Sequence, residues 1–425
     1  MSIPIYPFLV REGSERQADI KHVTKSIMQG AWADYPGEDI VVTTIGGGIT
    51  NLLFKLQGPT EEGAVLVRIY GEDTDVLIDR ERDNALFDEL ARMEYAPPFH
   101  GRFTNGRIEG FLPARALEPR EMSERSPVDF VSLIAKEMGR LHGLPVTKAG
   151  PAGEAEIWRV LPKWLQLAKG LTFEDESRAA AIKALDLDWI CEEVEWLSKR
   201  LGAGNQNSGR EASTPRASLS VQESAKSFLH EVVLCHNDLL SGNVLHAKGW
   251  DKVQVIDFEY SGYNPRAFDI ANHFCEHAGF DSNFEKSYPT TDTQMAFLKA
   301  YVRAVGMPTR SPSTAGAAAA DVAEGEGGKT EEGAKDGLTP SPNRDEEAFV
   351  EALRTEVNRW ALPSHLWWSA WAVVQARYSP IDFDFVDYAR LRLAGYRLHK
   401  AAFFGFEEER PREEEFFDFK GQKPS

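Results

Sequence analysis

A chain of 425 residues with 66 acidic and 48 basic side chains carries a formal charge of −18 and a pI near 5.1. That balance excludes a general binder of nucleic acid or of anionic lipid, since both need a net basic surface. A content of 42% hydrophobic and 11% aromatic residues excludes global disorder, and the length is ample for a large or two-lobed core.

The chain opens on MSIPIYPFLVREGSER, which has no basic stretch followed by a long apolar run, so no secretory signal is expected. Residues 40–45, 51–56 and 64–70 are β-branched or apolar and read as three strands, with Gly46-Gly47-Gly48 as the turn between the first two. Residues 78–93 place Leu86, Leu90 and Met93 at helical spacing, and Asn105-Gly106 marks a hairpin-like turn. Ser126 and Pro127 suit the cap and first position of the next helix. Helices then dominate, interrupted by strand-like runs at 231–235 and 253–257, and the last two helices fall near 346–375 and 384–403. Segments 202–220 and 306–345 are polar or low in complexity and read as disordered inserts. The acidity is concentrated in 72–89, 171–196, 306–345 and the tail from 406, which reads as solvated helix faces and loops. Cys191, Cys235 and Cys275 are too scattered for a disulfide framework or a metal-type pair, which suits a reducing compartment. The most apolar stretch, 366–374, is too short to span a bilayer, so no membrane insertion and a cytoplasmic protein are expected.

The stretch VVLCHNDLLSGNVLHAKGWDKVQVIDFEYSGYN, 232–264, carries the chemistry. A strand leads to Asp238, Asn243 follows five residues later, and a second strand ends on Asp257. Phosphoryl transfer needs one carboxylate for the attacking hydroxyl, and an amide oxygen and a second carboxylate for magnesium. Protein kinases use the same Asp-to-Asn spacing ahead of a metal-binding Asp. The N-terminal strands should then supply a phosphate-covering loop and a cation. Gly46, Gly47 and Gly48, with Asn51 where a third glycine would fall, fit the loop, and Arg68 in VLVRIY fits the cation. Asp83 is the expected acid orienting Arg68, with Glu81 as the alternative. A zinc hydrolase on His236, His246 and His273 fits poorly, because the spacing matches no ligand pattern.

With GGGITNLLFKL, VLVRIYGEDTDVLIDRERD, LCHNDLLSGNVL, IDFEYSGYNPRAFDIANHFCEHAGF and SHLWWSAWAVVQARYSPIDFDFVDYA, the chain resembles the choline/ethanolamine kinase family, most like its ethanolamine kinases. The resemblance implies an α+β, protein-kinase-like two-lobed fold. A small N-terminal lobe with an antiparallel sheet would cover 1–112, and a larger, mainly helical lobe 113–425. It implies ATP, Mg2+ and a small amino alcohol as partners, with ethanolamine phosphorylated on the route to phosphatidylethanolamine. By resemblance Asp238 is the catalytic base, Asn243 and Asp257 hold magnesium, Arg68 meets ATP phosphates, and the base of ATP binds near Glu109–Pro113. The acceptor is a small cation, which calls for carboxylates and aromatic faces. Tyr260, Tyr263, Glu276, Trp368, Trp371 and Tyr388 lie on the family's matching segments, and Glu259 reads as a site-lining acid or a brace. Asp269 and His236 read as braces of the catalytic loop. Asp83 departs from the glutamate usual in the family, and Gly110 is unusual in the interlobe segment. The rivals are a choline or dual kinase, an aminoglycoside-type phosphotransferase and, from another class, a non-catalytic pseudokinase scaffold. The last predicts loss of Asp238, Asn243 or Asp257, and all three are present. Oligomeric state is not legible.

Overall fold

The computed structural model describes residues 4–46, 50–60, 63–202, 219–306 and 342–405. In chain order the first elements are β1 (Ile5–Tyr6), α1 (Arg16–Met28), α2 (Ala31–Asp34), β2 (Val41–Ile45), β3 (Asn51–Gln57), β4 (Val65–Tyr70), α3 (Arg80–Arg92), β5 (Phe99–Phe103) and β6 (Gly106–Gly110). They form a sheet in the order β1-β5-β6-β4-β3-β2, antiparallel except for β1 beside β5. The strands alternate as a half-covered sheet requires. Phe54 and Leu56 on β3, and Val65, Val67 and Ile69 on β4, join Ile20, Val23 and Ile27 of α1 in one core.

The remaining elements are β7 (Arg115–Ala116), α4 (Phe130–His142), α5 (Glu156–Gly170), α6 (Glu176–Ala184), α7 (Leu187–Arg200), α8 (Val221–Leu229), β8 (Val232–Cys235), β9 (Val244–His246), β10 (Gln254–Val255), β11 (Gly262–Pro265), α9 (Arg266–Glu276), α10 (Phe284–Ser287), α11 (Thr291–Val305), α12 (Pro342–Tyr378) and α13 (Phe385–Phe404). The short strands make two small sheets, β10-β9-β7 and β11-β8, and both lead into the site. α12 packs on α13, α9, α8 and α5, and buries Trp360 and Trp367 in a second core. Two separate cores, one under the six-stranded sheet and one among the helices, make the two-lobed α+β architecture that the resemblance implied.

α3 crosses that division. Asp79 caps it by accepting the Arg82 N–H at 3.1 Å, which satisfies one of the helix's unpaired donors. Its apolar face, Leu86, Phe87 and Leu90, packs into the helical lobe's core rather than the sheet's, with Phe87 6.3 Å from Phe258.

Four sequence expectations change. Ser126 does not cap α4, because the helix starts at Phe130 and Asp129 accepts the Ser132 N–H at 3.1 Å. Within the inserts expected at 202–220 and 306–345, Ser220 caps α8 and α12 already begins at Pro342, while 203–218 and 307–341 lie outside the described residues. The acidic window 72–89 is not simply a solvated face, since Asp83 is buried and Glu89 accepts the N–H groups of Thr147 and Lys148. The tail from 406 is likewise outside the described residues. All three cysteines are free, and among the described residues no helix is long and apolar enough to cross a membrane.

Candidate active site

β8 delivers His236, Asn237 and Asp238 to the cleft. The turn is held by Asp269 on α9, which accepts the N–H groups of His236 at 2.9 Å and Asn237 at 2.7 Å. Burial alone would raise the Asp269 carboxyl, but the hydrogen bond from His142 and the nearby imidazoles hold it below its ordinary value. His142 donates from Nε2 to Asp269 and accepts from Tyr301, which in turn receives Arg266. His236 donates to the Ile256 carbonyl at 3.0 Å and accepts the Asp238 N–H at 3.2 Å. Asp269 and His236 thus brace the loop, as their sequence positions suggested.

Two non-glycine residues of this region have positive φ, Asn237 at 65° and Asp257 at 67°. Such backbone costs about 1–3 kcal/mol per residue and needs support. Asn237 has it: its amide donates to the Tyr260 carbonyl at 2.9 Å and accepts from Asn264 at 2.9 Å.

Asn243 donates to both the Asp238 carbonyl at 2.8 Å and its Oδ2 at 3.2 Å. That leaves the amide oxygen of Asn243 and Oδ1 of Asp238 without hydrogen-bond partners among the described residues. Asp257 accepts Arg68 Nη1 on Oδ1 at 3.0 Å, and its Oδ2 is likewise without a partner among them. Free hard oxygens from an amide and a carboxylate suit a magnesium-like cation. Burial raises Asp257 to about 6 despite Arg68. Asp238 is pushed well above the usual carboxylate range by burial, then by the charges of Glu276, Asp257 and Glu259.

Arg68 is held differently from expectation. Its Nε donates to Glu109 at 3.0 Å, not to Asp83. Asp83 instead accepts Arg107 at 2.9 Å and lies 3.5 Å from Arg80, while Glu81 pairs with Arg102 near the surface. The reason is strand register. Arg68 on β4 lies directly opposite Arg107 on β6, so two guanidiniums share one face of the sheet. Glu109, two residues after Arg107, falls on that same face and accepts from both, with Arg107 at 2.6 Å. Burial would raise the Glu109 carboxyl, but Arg107 and Arg68 keep it below its ordinary value. The Glu109 side chain is therefore spent inside the sheet rather than at the edge where the base of ATP was expected. Replacing Arg107 by Met should cost about 3 kcal/mol, because it takes the nearer cation from two buried carboxylates and leaves Glu109 to Arg68 and Asp83 to the more distant Arg80. A urea midpoint close to wild type would contradict this.

Of the glycine turn, Gly46 lies in the open after β2, while Gly47 and Gly48 are outside the described residues. The Asn51 amide does not point free toward a phosphate, since it donates to Glu259 at 2.9 Å. Glu259, expected to line the acceptor site or brace it, has both carboxylate oxygens taken by residues of the sheet lobe.

Beside Asp238 stands an aromatic wall. Trp371 donates its indole N–H to the Tyr260 hydroxyl at 2.8 Å, and its ring meets Trp368 at 5.4 Å and Tyr388 at 6.3 Å. Trp368 donates to Asn272 at 2.8 Å. Glu276 exerts the largest charge effect on Asp238, yet one of its oxygens accepts Arg392 at 2.8 Å. Tyr263 is not part of the wall, because its hydroxyl donates to the Val146 carbonyl on the α4–α5 connection. Sequence reading missed Arg107, Arg392, Thr50, Arg80 and Asn272. Only Arg107 left a signal, in its two-residue spacing from Glu109.

Fold and cleft together have the arrangement of a protein-kinase-like phosphotransferase, with Arg68 on the sheet lobe and Asp238, Asn243 and Asp257 on the helical one. The family model for choline/ethanolamine kinases matches residues 42–397, and the chain belongs to that family. It is 30% identical to a probable ethanolamine kinase of Arabidopsis thaliana over 88% of this chain and 83% of that one. It is 29% identical to a probable choline kinase of the same plant, over 90% and 92%. Its fold superposes on an ethanolamine kinase of Plasmodium vivax with a TM-score of 0.68 at 23% identity, covering 93% of this chain and 92% of that one.

Proposed function

We propose that this chain is an ethanolamine kinase, transferring the γ-phosphoryl group of ATP to the hydroxyl of ethanolamine. The observation that carries the reading is the meeting of Asp238, Glu276 and the Tyr260–Trp371 wall at one point of the cleft. The ammonium rests against Glu276 and the aromatic faces, which directs the hydroxyl at the far end of this two-carbon molecule toward Asp238. Oδ1 of Asp238 accepts the hydroxyl proton while Asn243 fixes Oδ2. Asn243 and Asp257 would hold magnesium, which when bound neutralises charge on the β- and γ-phosphates. Arg68, beside Asp257, offers its guanidinium to the phosphate oxygens. Relatives named as ethanolamine kinases support this acceptor.

A choline or dual kinase is the second reading. It is favoured by the wall being almost wholly aromatic and by Arg392 offsetting Glu276, since a quaternary head needs faces more than acceptors. An ATP-coupled assay over ethanolamine, its N-methylated forms and choline separates the two. kcat/KM for ethanolamine should exceed that for choline by at least about tenfold, a difference of about 1.4 kcal/mol. Equal or greater activity on choline would replace the first reading with the second. No activity on any member of the panel would remove both.

A further inference from the structure

We propose that Glu259 is a positioning residue that fastens Thr50 and Asn51, at the start of β3, to the loop carrying Asp257, so that nucleotide grip and metal-ligand placement move as one. The inference rests on the phosphotransferase reading and adds a part to it. Glu259 belongs to the helical lobe, two residues after Asp257, yet everything it binds comes from the sheet lobe. Thr50 donates its hydroxyl to Oε1 at 2.5 Å, and Asn51 and Arg80 each donate to Oε2 at 2.9 Å. Thr50 and Asn51 are the first described residues after Gly48 and Ile49. The carboxylate is buried, and Arg80, then Arg68, overcome the effect of burial and keep it ionised.

The clasp is itself fixed. Arg80 lies over the Tyr70 ring at 4.4 Å and also donates to Thr74 at 2.6 Å. Two residues on, Arg82 donates to the Ser261 carbonyl at 2.8 Å and pairs with Glu156. The start of α3 therefore grips segment 259–261 twice, while its apolar face is packed into the helical lobe. Against that fixed seat, Thr50 and Asn51 are what the Glu259 carboxylate holds. Three protein donors fill most of the roughly four acceptor sites of this carboxylate, which favours a fastening role over that of lining an ammonium site.

The test is a double-mutant cycle on ADP affinity, read by calorimetry on the full chain with and without magnesium. Glu259→Gln places an amide N–H2 against the donors of Asn51 and Arg80. Thr50→Val removes one hydroxyl and leaves the packing. Each should weaken ADP by about tenfold, and the double variant should be no weaker than Glu259→Gln alone. The acceptor KM should stay within about threefold of wild type, and Thr50→Val should remain folded at the assay temperature although the lost hydrogen bond to a buried carboxylate lowers its thermal midpoint. Additive losses would overturn the proposal. So would a Glu259→Gln variant that binds ADP normally but has a raised acceptor KM, since that is the signature of a lining residue. A wild-type chain that binds no ADP would overturn the phosphotransferase reading as well, whereas activity on an unexpected alcohol would leave the clasp standing.

Discussion

Asp238→Asn should lose turnover by roughly 10²–10⁴-fold and, without nucleotide or metal, should melt at a higher temperature than wild type at pH 8. The two effects have one cause. The Asp238 carboxyl is buried and faces Glu276, Asp257 and Glu259, so its folded pKa lies well above the unfolded value of about 3.9. Below that value both states are protonated and nothing is lost. As pH rises through the window up to the folded pKa, the unfolded chain releases its proton and the folded chain does not, so stability falls. Asparagine copies the protonated form at every pH and escapes this loss, but it cannot accept the substrate proton. The comparison is a pair of melts at pH 5 and pH 8 beside an activity assay. A variant advantage that fails to grow between the two pH values would refute the electrostatic argument. Turnover within tenfold of wild type would refute the role of base.

Asp257→Asn should lower turnover by about 10²–10³-fold through lost phosphate-charge neutralisation, with no recovery at high magnesium. Arg68 keeps Glu109 as its partner in this variant, so the sheet should survive. ADP affinity should then become nearly insensitive to magnesium, which distinguishes loss of a metal ligand from a disturbed fold. In the wild type, burial sets the Asp257 carboxyl at about 6, so protons compete with the metal there. Magnesium dependence should accordingly weaken as pH falls through that value. A magnesium response unchanged between pH 5 and pH 8 would count against Asp257 as a ligand.

The strand–loop–strand that brings Asp238, Asn243 and Asp257 together was legible because they sit within one short stretch, bounded by strands with a clear pattern. The aromatic wall was partly legible, since Trp368 and Trp371 share a helical face. What failed depended on strand register. Asp83 was assigned to Arg68 because the helix after a cation strand is the expected source of an acid. Nothing in the sequence states that Arg107 faces Arg68 across β4 and β6 and draws Asp83 to itself. Glu259 and Tyr263 show the same limit from the other side. Each lies close in sequence to Asp257, but a loop turning into β11 sends Glu259 to the sheet lobe and Tyr263 toward Val146. Proximity along the chain predicted a shared pocket that the turn does not permit.

One amide links the two halves of the reaction. Asn272 donates to the Asn237 carbonyl at 3.1 Å, and its oxygen receives Ser364 at 2.7 Å and Trp368 at 2.8 Å. The peptide before the proposed base and the tryptophan of the proposed acceptor wall thus hang from the same side chain. Remodelling the pocket at Trp368 to admit a bulkier alcohol would also loosen the seat of Asp238. Under that reading selectivity and speed are not separate dials, and a drift toward new acceptors would have to travel through Trp371, whose indole bonds Tyr260, since Tyr388 is tied back to Asn272 through Arg392 and Ser364.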